Sequence, residues 1–167
     1  MKWASIGGHA SIVKLLLADP RVDPSESDNW AIRYASRNGH ASVLKLLLPD
    51  PRVDPSVQDN NAVELASRND HALVVELLLA DHRVVALGGE QSSLESASGS
   101  GALTVLQMLM DRPGVVVTKE GLVIAEINEQ LAVINMFIAR QPHVVSKLRT
   151  VALHGFLHAY WTLSHTS

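Results

Sequence analysis

"PRVDPSESDNWAIRYASRNGHASVLKLLLPD" (residues 20–50) runs directly into "PRVDPSVQDNNAVELASRNDHALVVELLLAD" (residues 51–81). Twenty of the 31 positions are identical. Two adjoining segments of one chain with this agreement are a duplication. A duplicated unit of this size is the mark of a stacked architecture, in which no unit buries its own apolar face alone.

The frame continues outward with decay. Backwards, Gly8 and His9 match Gly39 and His40, and Ala4 falls where Ala35 and Ala66 fall. Forwards, Ala97 continues the alanine column, and "ALTVLQMLM" (Ala102–Met110) matches "HASVLKLLL". The spacing then shortens to 28, with Ala125 in the column and "LAVINMFI" (Leu131–Ile138) in the helix position. This register predicts units at 1–19 (partial), 20–50, 51–81, 82–112 and 113–140, with a divergent C-terminal cap at 141–167.

One unit can be read from its periodicity. Val43, Leu44, Leu47 and Leu48 recur at i, i+1, i+4 and i+5, which is an apolar stripe on a helix. A shorter helix is predicted around Ala31–Arg37, where Ala35 and Ser36 are small enough for a second helix to approach closely. Gly39 suits the left-handed residue that ends that helix, and Asp70 takes the same position in the next unit. Pro51 and Pro55 break the helical run and start a loop. The unit therefore reads helix, tight turn, helix, projecting loop. The expected fold is all-α: an elongated solenoid of about five to six stacked helix-turn-helix-loop units.

Composition agrees with a packed, aliphatic stack. The chain has 167 residues, 47% hydrophobic and only 4% aromatic, so its core is built from Leu, Val, Ile and Ala. Formal charge is −3 without a run of basic residues, which argues against nucleic acid or an anionic membrane as partner. There is no cysteine, which removes disulfides and thiolate chemistry and permits an intracellular site, cytoplasmic or nuclear. No apolar run is long enough to predict a membrane span.

"AIRYASRNGHASVLKLLL" (Ala31–Leu48) and "AVELASRNDHALVVELLL" (Ala62–Leu79) resemble the ankyrin repeat, with its A-x-x-G-H junction and V-V-x-L-L-L second helix. The likeness extends over nearly the whole chain. Two departures stand out. The family's T-P-L-H start of the first helix reads Trp30-Ala31-Ile32-Arg33 here and Asn61-Ala62-Val63-Glu64 in the next unit. The period is 31 rather than the family's 33, with D-P-R-V-D-P-S in the loop, which implies fingers shorter than the family's or shaped differently.

The candidate chemistry is thin. His9, His40 and His71 form a column, but equivalent positions in a stack run along it and do not converge on a metal. A ring bonded to backbone at the turn is the expected role. His154 and His158 are spaced for one helix face, with His165 nearby, yet zinc needs further ligands and no H-E-x-x-H pattern is present. "GSGALT" (Gly99–Thr104) lacks the lysine and the preceding strand of a phosphate loop and falls at an interhelix turn. The aspartates of the loops, Asp50, Asp54 and Asp59 among them, lack calcium-loop spacing and read as turn caps or solvated acids. No nucleophile–base pattern is present, and no cofactor or metal is expected.

What remains is a surface. The ankyrin resemblance implies a non-enzymatic protein-interaction module whose partner binds the concave face, formed by loop tips and the exposed side of the first helices. By register this face comprises Asn29, Arg33, Arg37 and Asn38 in one unit, Asn60, Glu64, Arg68 and Asn69 in the next, and Gln91, Glu95, Gly99 and Ser100 in the third. Arg37 and Arg68 share a register and suggest an acidic patch on the partner, with Glu64 and Glu95 as competing neighbours. The alternatives are an inert spacer or part of a larger ankyrin-repeat protein, and a small enzyme or metal protein built on the divergent C-terminus. The alignment of Met1 with Ile32 leaves an apolar edge near Trp3, from which fraying, end-to-end association or a longer natural chain is expected.

Overall fold

The computed structural model describes residues 1–146. The chain runs through α1 (Lys2–Ile6), α2 (Ala10–Ala18), α3 (Glu26–Arg37), α4 (Ala41–Leu47), α5 (Val57–Arg68), α6 (Ala72–Leu79), α7 (His82–Ala86), α8 (Gly89–Ser100), α9 (Leu103–Met110), α10 (Lys119–Ile127) and α11 (Leu131–Arg140). No strand occurs among the described residues. The all-α repeat solenoid expected from the sequence is the fold observed. Most of the divergent cap (147–167), with its histidines His154, His158 and His165, lies outside the described residues.

The helices form two layers. First helices α1, α3, α5, α8 and α10 pack side by side, and second helices α2, α4, α6, α9 and α11 pack behind them. The alanine column holds the layers close: Ala35, Ala66, Ala97 and Ala125 are all fully buried. Behind it, Leu47, Leu78, Leu109 and Phe137 occupy one register and are likewise fully buried. Burying such a side chain contributes about 1.5–3 kcal/mol. Because each column is completed by the neighbouring units, stability belongs to the stack. The first unit shows the converse. Ile12 is 49% exposed, whereas Val43, Val74 and Val105 in its register are at most 1% exposed. Trp3 and Leu15 are also exposed on that edge.

Each turn between the paired helices needs one left-handed residue. Gly8, Gly39 and Gly101 supply it at φ 70, 75 and 77, and Asp70 and Glu129 supply it at φ 57 and 55. The next residue (His9, His40, His71, Ala102 or Gln130) is the N-cap of the second helix. His40 and His71 do not cap their own helices. Their Nε2 atoms bond the preceding unit, at 2.7 Å from the Ile6 carbonyl and 3.0 Å from the Arg37 carbonyl. The histidine column is therefore a chain of links between units.

The loops are built from polar clasps. In D-P-R, Arg52 bonds both carboxylate oxygens of Asp50, through Nε at 2.9 Å and Nη2 at 2.7 Å, and reaches the Val22 carbonyl at 3.1 Å. Arg83 repeats this with Asp81 and with the Val53 carbonyl at 2.8 Å. In D-P-S, the Asp54 carboxylate accepts bonds from the backbone and hydroxyl of Ser56. Asp50 and Asp54 thus act as turn caps. The Arg83 guanidinium holds the Asp81 carboxyl below its usual range, against the opposing effect of burial, and Arg52 does the same to Asp50.

After each D-P-S the chain turns left-handed for three residues, Ser27-Asp28-Asn29 (φ 57, 56, 54) and Gln58-Asp59-Asn60 (φ 53, 54, 66). Regular helix resumes only after Asn29 and Asn60, close to the predicted start at Ala31. This left-handed turn sets the shape of the finger in these two units.

Candidate functional site

The exposed side of the first helices carries the residues singled out by register, and the left-handed turns decide which of them are available. They aim Asn29 and Asn60 inward. Asn29 is 7% exposed, and its Oδ1 accepts the Asp54 backbone N–H at 2.8 Å. Asn60 is fully buried, and its Nδ2 donates to the Leu87 carbonyl at 2.8 Å. Both expectations of partner contact are corrected: these asparagines tie each unit to the loop of the next. A buried amide without such a partner would be costly.

Arg33 and Arg37 separate in role. Arg33 is half-buried and donates from Nε to Asn61 Oδ1 at 2.9 Å, bridging α3 to α5. Arg37 is exposed, with its guanidinium 5.9 Å from the Tyr34 ring, which itself stacks on Trp30 at 3.9 Å. Asn38 and Asn69 are exposed at the helix ends; Asn38 reaches the Ile6 carbonyl at 3.4 Å and Asn69 the Leu65 carbonyl at 2.7 Å. Arg68 is exposed and lies 4.0 Å from Glu64 on its own helix. Such surface pairs contribute only ~0–1 kcal/mol, so both groups stay free to meet a partner. Gln91 donates to Glu95 and, at 3.1 Å, to Thr118 Oγ1.

Glu64, Arg68 and Glu95 come together around one groove of about 410 Å³. Ser92, Ser96, Gly99 and Ser100 of α8 and Ile124 and Asn128 of the next unit complete its walls. The register explains the groove. The column occupied by Arg37 and Arg68 is empty at Gly99, and the column occupied by Tyr34 and Leu65 shrinks to Ser96. A β-carbon on Gly99 would lie 2.8 Å from Ile124 Cγ2, so the glycine also lets α10 approach α8. Sequence reasoning placed Gly99 in the row but passed over Ser92, Ser96, Ile124 and Asn128. The available signal was the loss of side-chain volume across these two columns in the same unit.

Among the described residues, no group of three or more His, Asp or Glu converges as a metal site, and no helix is long and apolar enough to cross a membrane. "GSGALT" spans the end of α8 and the start of α9, with Gly101 in the left-handed turn. No curated protein matches the chain. The family model for ankyrin repeats (3 copies) matches residues 1–87, just over half of the sequence and the part in which the duplication is clearest. Helix pairs joined by a left-handed glycine, histidines at the turn and a buried alanine column accompany that match, and the chain belongs to the ankyrin-repeat family.

Proposed function

We propose that the protein is a non-enzymatic interaction module that binds a protein partner through the exposed face of its first helices, the concave face of ankyrin stacks. Ankyrin repeats are generally protein–protein interaction modules, and this supports the class of function. The observation that carries the reading to this face is the groove bordered by Glu64, Arg68 and Glu95. On the second-helix layer, Lys45 and Asp81 border a more open hollow of about 360 Å³ lined mainly by Leu48, Pro49, Leu77 and Ala80.

Arg37 and Arg68 are both exposed cations of the face and share one register in adjacent units. Arginine anchors interfaces well because its planar fork meets carboxylates in two places. An acidic stretch of the partner suits this part of the face. Arg33 supports the row from behind through Asn61. An intracellular setting, cytoplasmic or nuclear, is consistent with the lack of cysteine.

Affinity capture from the native source tests the reading, comparing the natural chain with an Arg37→Glu, Arg68→Glu double variant and with Lys45→Glu on the opposite layer. Loss of a specific protein with the double variant alone, at unchanged helicity, supports the face. Equal capture by all three, or equal loss with Lys45→Glu, points to a different surface. A chain that captures nothing in any form would be the inert spacer.

A further inference from the structure

We infer that units three to five take a partner segment with two anchors: a lysine or arginine in the groove between Glu64 and Glu95, and an aliphatic side chain two to three residues away. This rests on the reading of the first-helix face as the binding face and specifies the chemistry bound at one end of it.

The charge of the groove selects the first anchor. Its walls bring two carboxylates, Glu64 and Glu95, against one cation, Arg68. Arg68 lies 4.0 Å from Glu64, while Glu95 has the Gln91 amide and no ion-pair partner among the described residues. A cationic side chain entering above Gly99 balances the site. The serines along the wall add hydroxyls suited to its remaining N–H groups and to an adjoining peptide backbone. An incoming carboxylate would instead face two of its own kind.

The second anchor follows from a hollow on the other flank of α8. It holds about 360 Å³ and is lined by Val85, Leu94, Val115 and Val116, with Gly88 and Gly114 and the polar Glu90, Gln91 and Thr118 completing its wall. It exists because unit four abandons the D-P-S loop for "VVALGG" (84–89). Where the earlier loops bury a proline and fold back through Asp54 and Ser56, the end of α7 and the turn after it expose Val85 at 43% and Leu87 at 61%. Val116, at 49%, faces solvent from the following loop. Gln91, bonded to Glu95 on one side and Thr118 on the other, forms the divide between groove and hollow.

The spacing follows from the helix. The groove-lining residues of α8 centre about five positions beyond those of the hollow, roughly 7 Å along the axis at 1.5 Å per residue. An extended segment covers that in about two to three residues, allowing for its lateral offset. Two anchors on one extended segment also avoid the entropy of ordering two separate pieces.

The test is to pan a phage-displayed random dodecapeptide library on the full chain and then titrate synthetic peptides from enriched clones by fluorescence polarisation. The expected clones pair Lys or Arg with Leu, Ile or Val two to three residues apart. Glu64→Gln with Glu95→Gln should weaken them about tenfold. Val85→Ser with Val116→Ser should weaken them by a similar factor, and Arg37→Glu should not weaken them. Acidic clones that fail on Arg37→Glu but ignore the paired glutamines overturn this inference and leave the first-helix face standing. Clones indifferent to every one of these changes overturn both. A library that enriches nothing overturns the two-anchor inference while leaving capture of a larger partner as the test of the face.

Discussion

The imidazole of His71 occupies the space that a β-carbon on Gly39 would need: that carbon would lie 2.7 Å from the ring Nδ1. Gly8 and His40 repeat the relationship at 2.6 Å. The two residues of each pair come from adjacent units, so the fit joins the units as it packs the turn. The next pair has changed on both sides. Asp70 replaces the glycine, and Ala102 replaces the histidine. There the link is reversed: the Asp70 carboxylate accepts the backbone N–H groups of Thr104 at 3.3 Å and Val105 at 2.8 Å, capping α9 from the preceding unit.

Gly39→Ala should therefore carry two costs, a left-handed alanine and a collision with the ring, together about 1–3 kcal/mol. In a His71→Ala background only the backbone cost remains. Chemical denaturation of the four proteins in this cycle should show a coupling of about 1 kcal/mol. Additive losses would mean that the ring and the glycine do not constrain one another.

Asn60→Ala should destabilise the stack by about 1–3 kcal/mol, because it removes the bond to the Leu87 carbonyl from a fully buried site and leaves alanine at φ 66. Asn60→Gly relieves the backbone and should recover part of the loss. Thermal melts compare them. Two variants with natural stability and impaired binding would return Asn60 to the partner surface.

Acid should loosen the clasps in the loops. Asp50 and Asp81 have folded pKa values below the usual carboxylate range, with the Arg52 and Arg83 guanidiniums as the main cause. A lowered folded pKa gives stability that is complete above the unfolded value of about 3.9 and fades as pH falls through the folded value. Stability should hold from about pH 8 to pH 5 and fall below about pH 4. Asp81→Asn should be less stable at neutral pH and show a shallower acid limb. An unchanged acid limb would remove this clasp from the account.

The stack was legible in the sequence because its packing repeats: Ala35, Ala66 and Ala97 recur at one spacing, and the left-handed turn declares itself through Gly39. The same logic failed at Asn29 and Asn60. Register fixed their places in the unit but not their direction, because three consecutive left-handed residues turn them into the stack. The turn role of Asp50 was readable from its loop, yet the partnership with Arg52 and the Val22 carbonyl depends on a neighbouring unit. The groove was the least legible feature, since it consists of side chains that are missing at Gly99 and Ser96. Absence in a column becomes a cavity only when Arg68 and Ile124 stand on either side.

Site-specific photo-crosslinking tests the central claim, that this protein works through the first-helix face, most directly. A benzophenone amino acid is placed at Ser96, in the groove, and in a second protein at Lys45, on the second-helix layer. Irradiation in the native cell extract should join a discrete partner to the chain from position 96 and not from position 45. The same partner captured equally from both positions, or from position 45 alone, would contradict the claim.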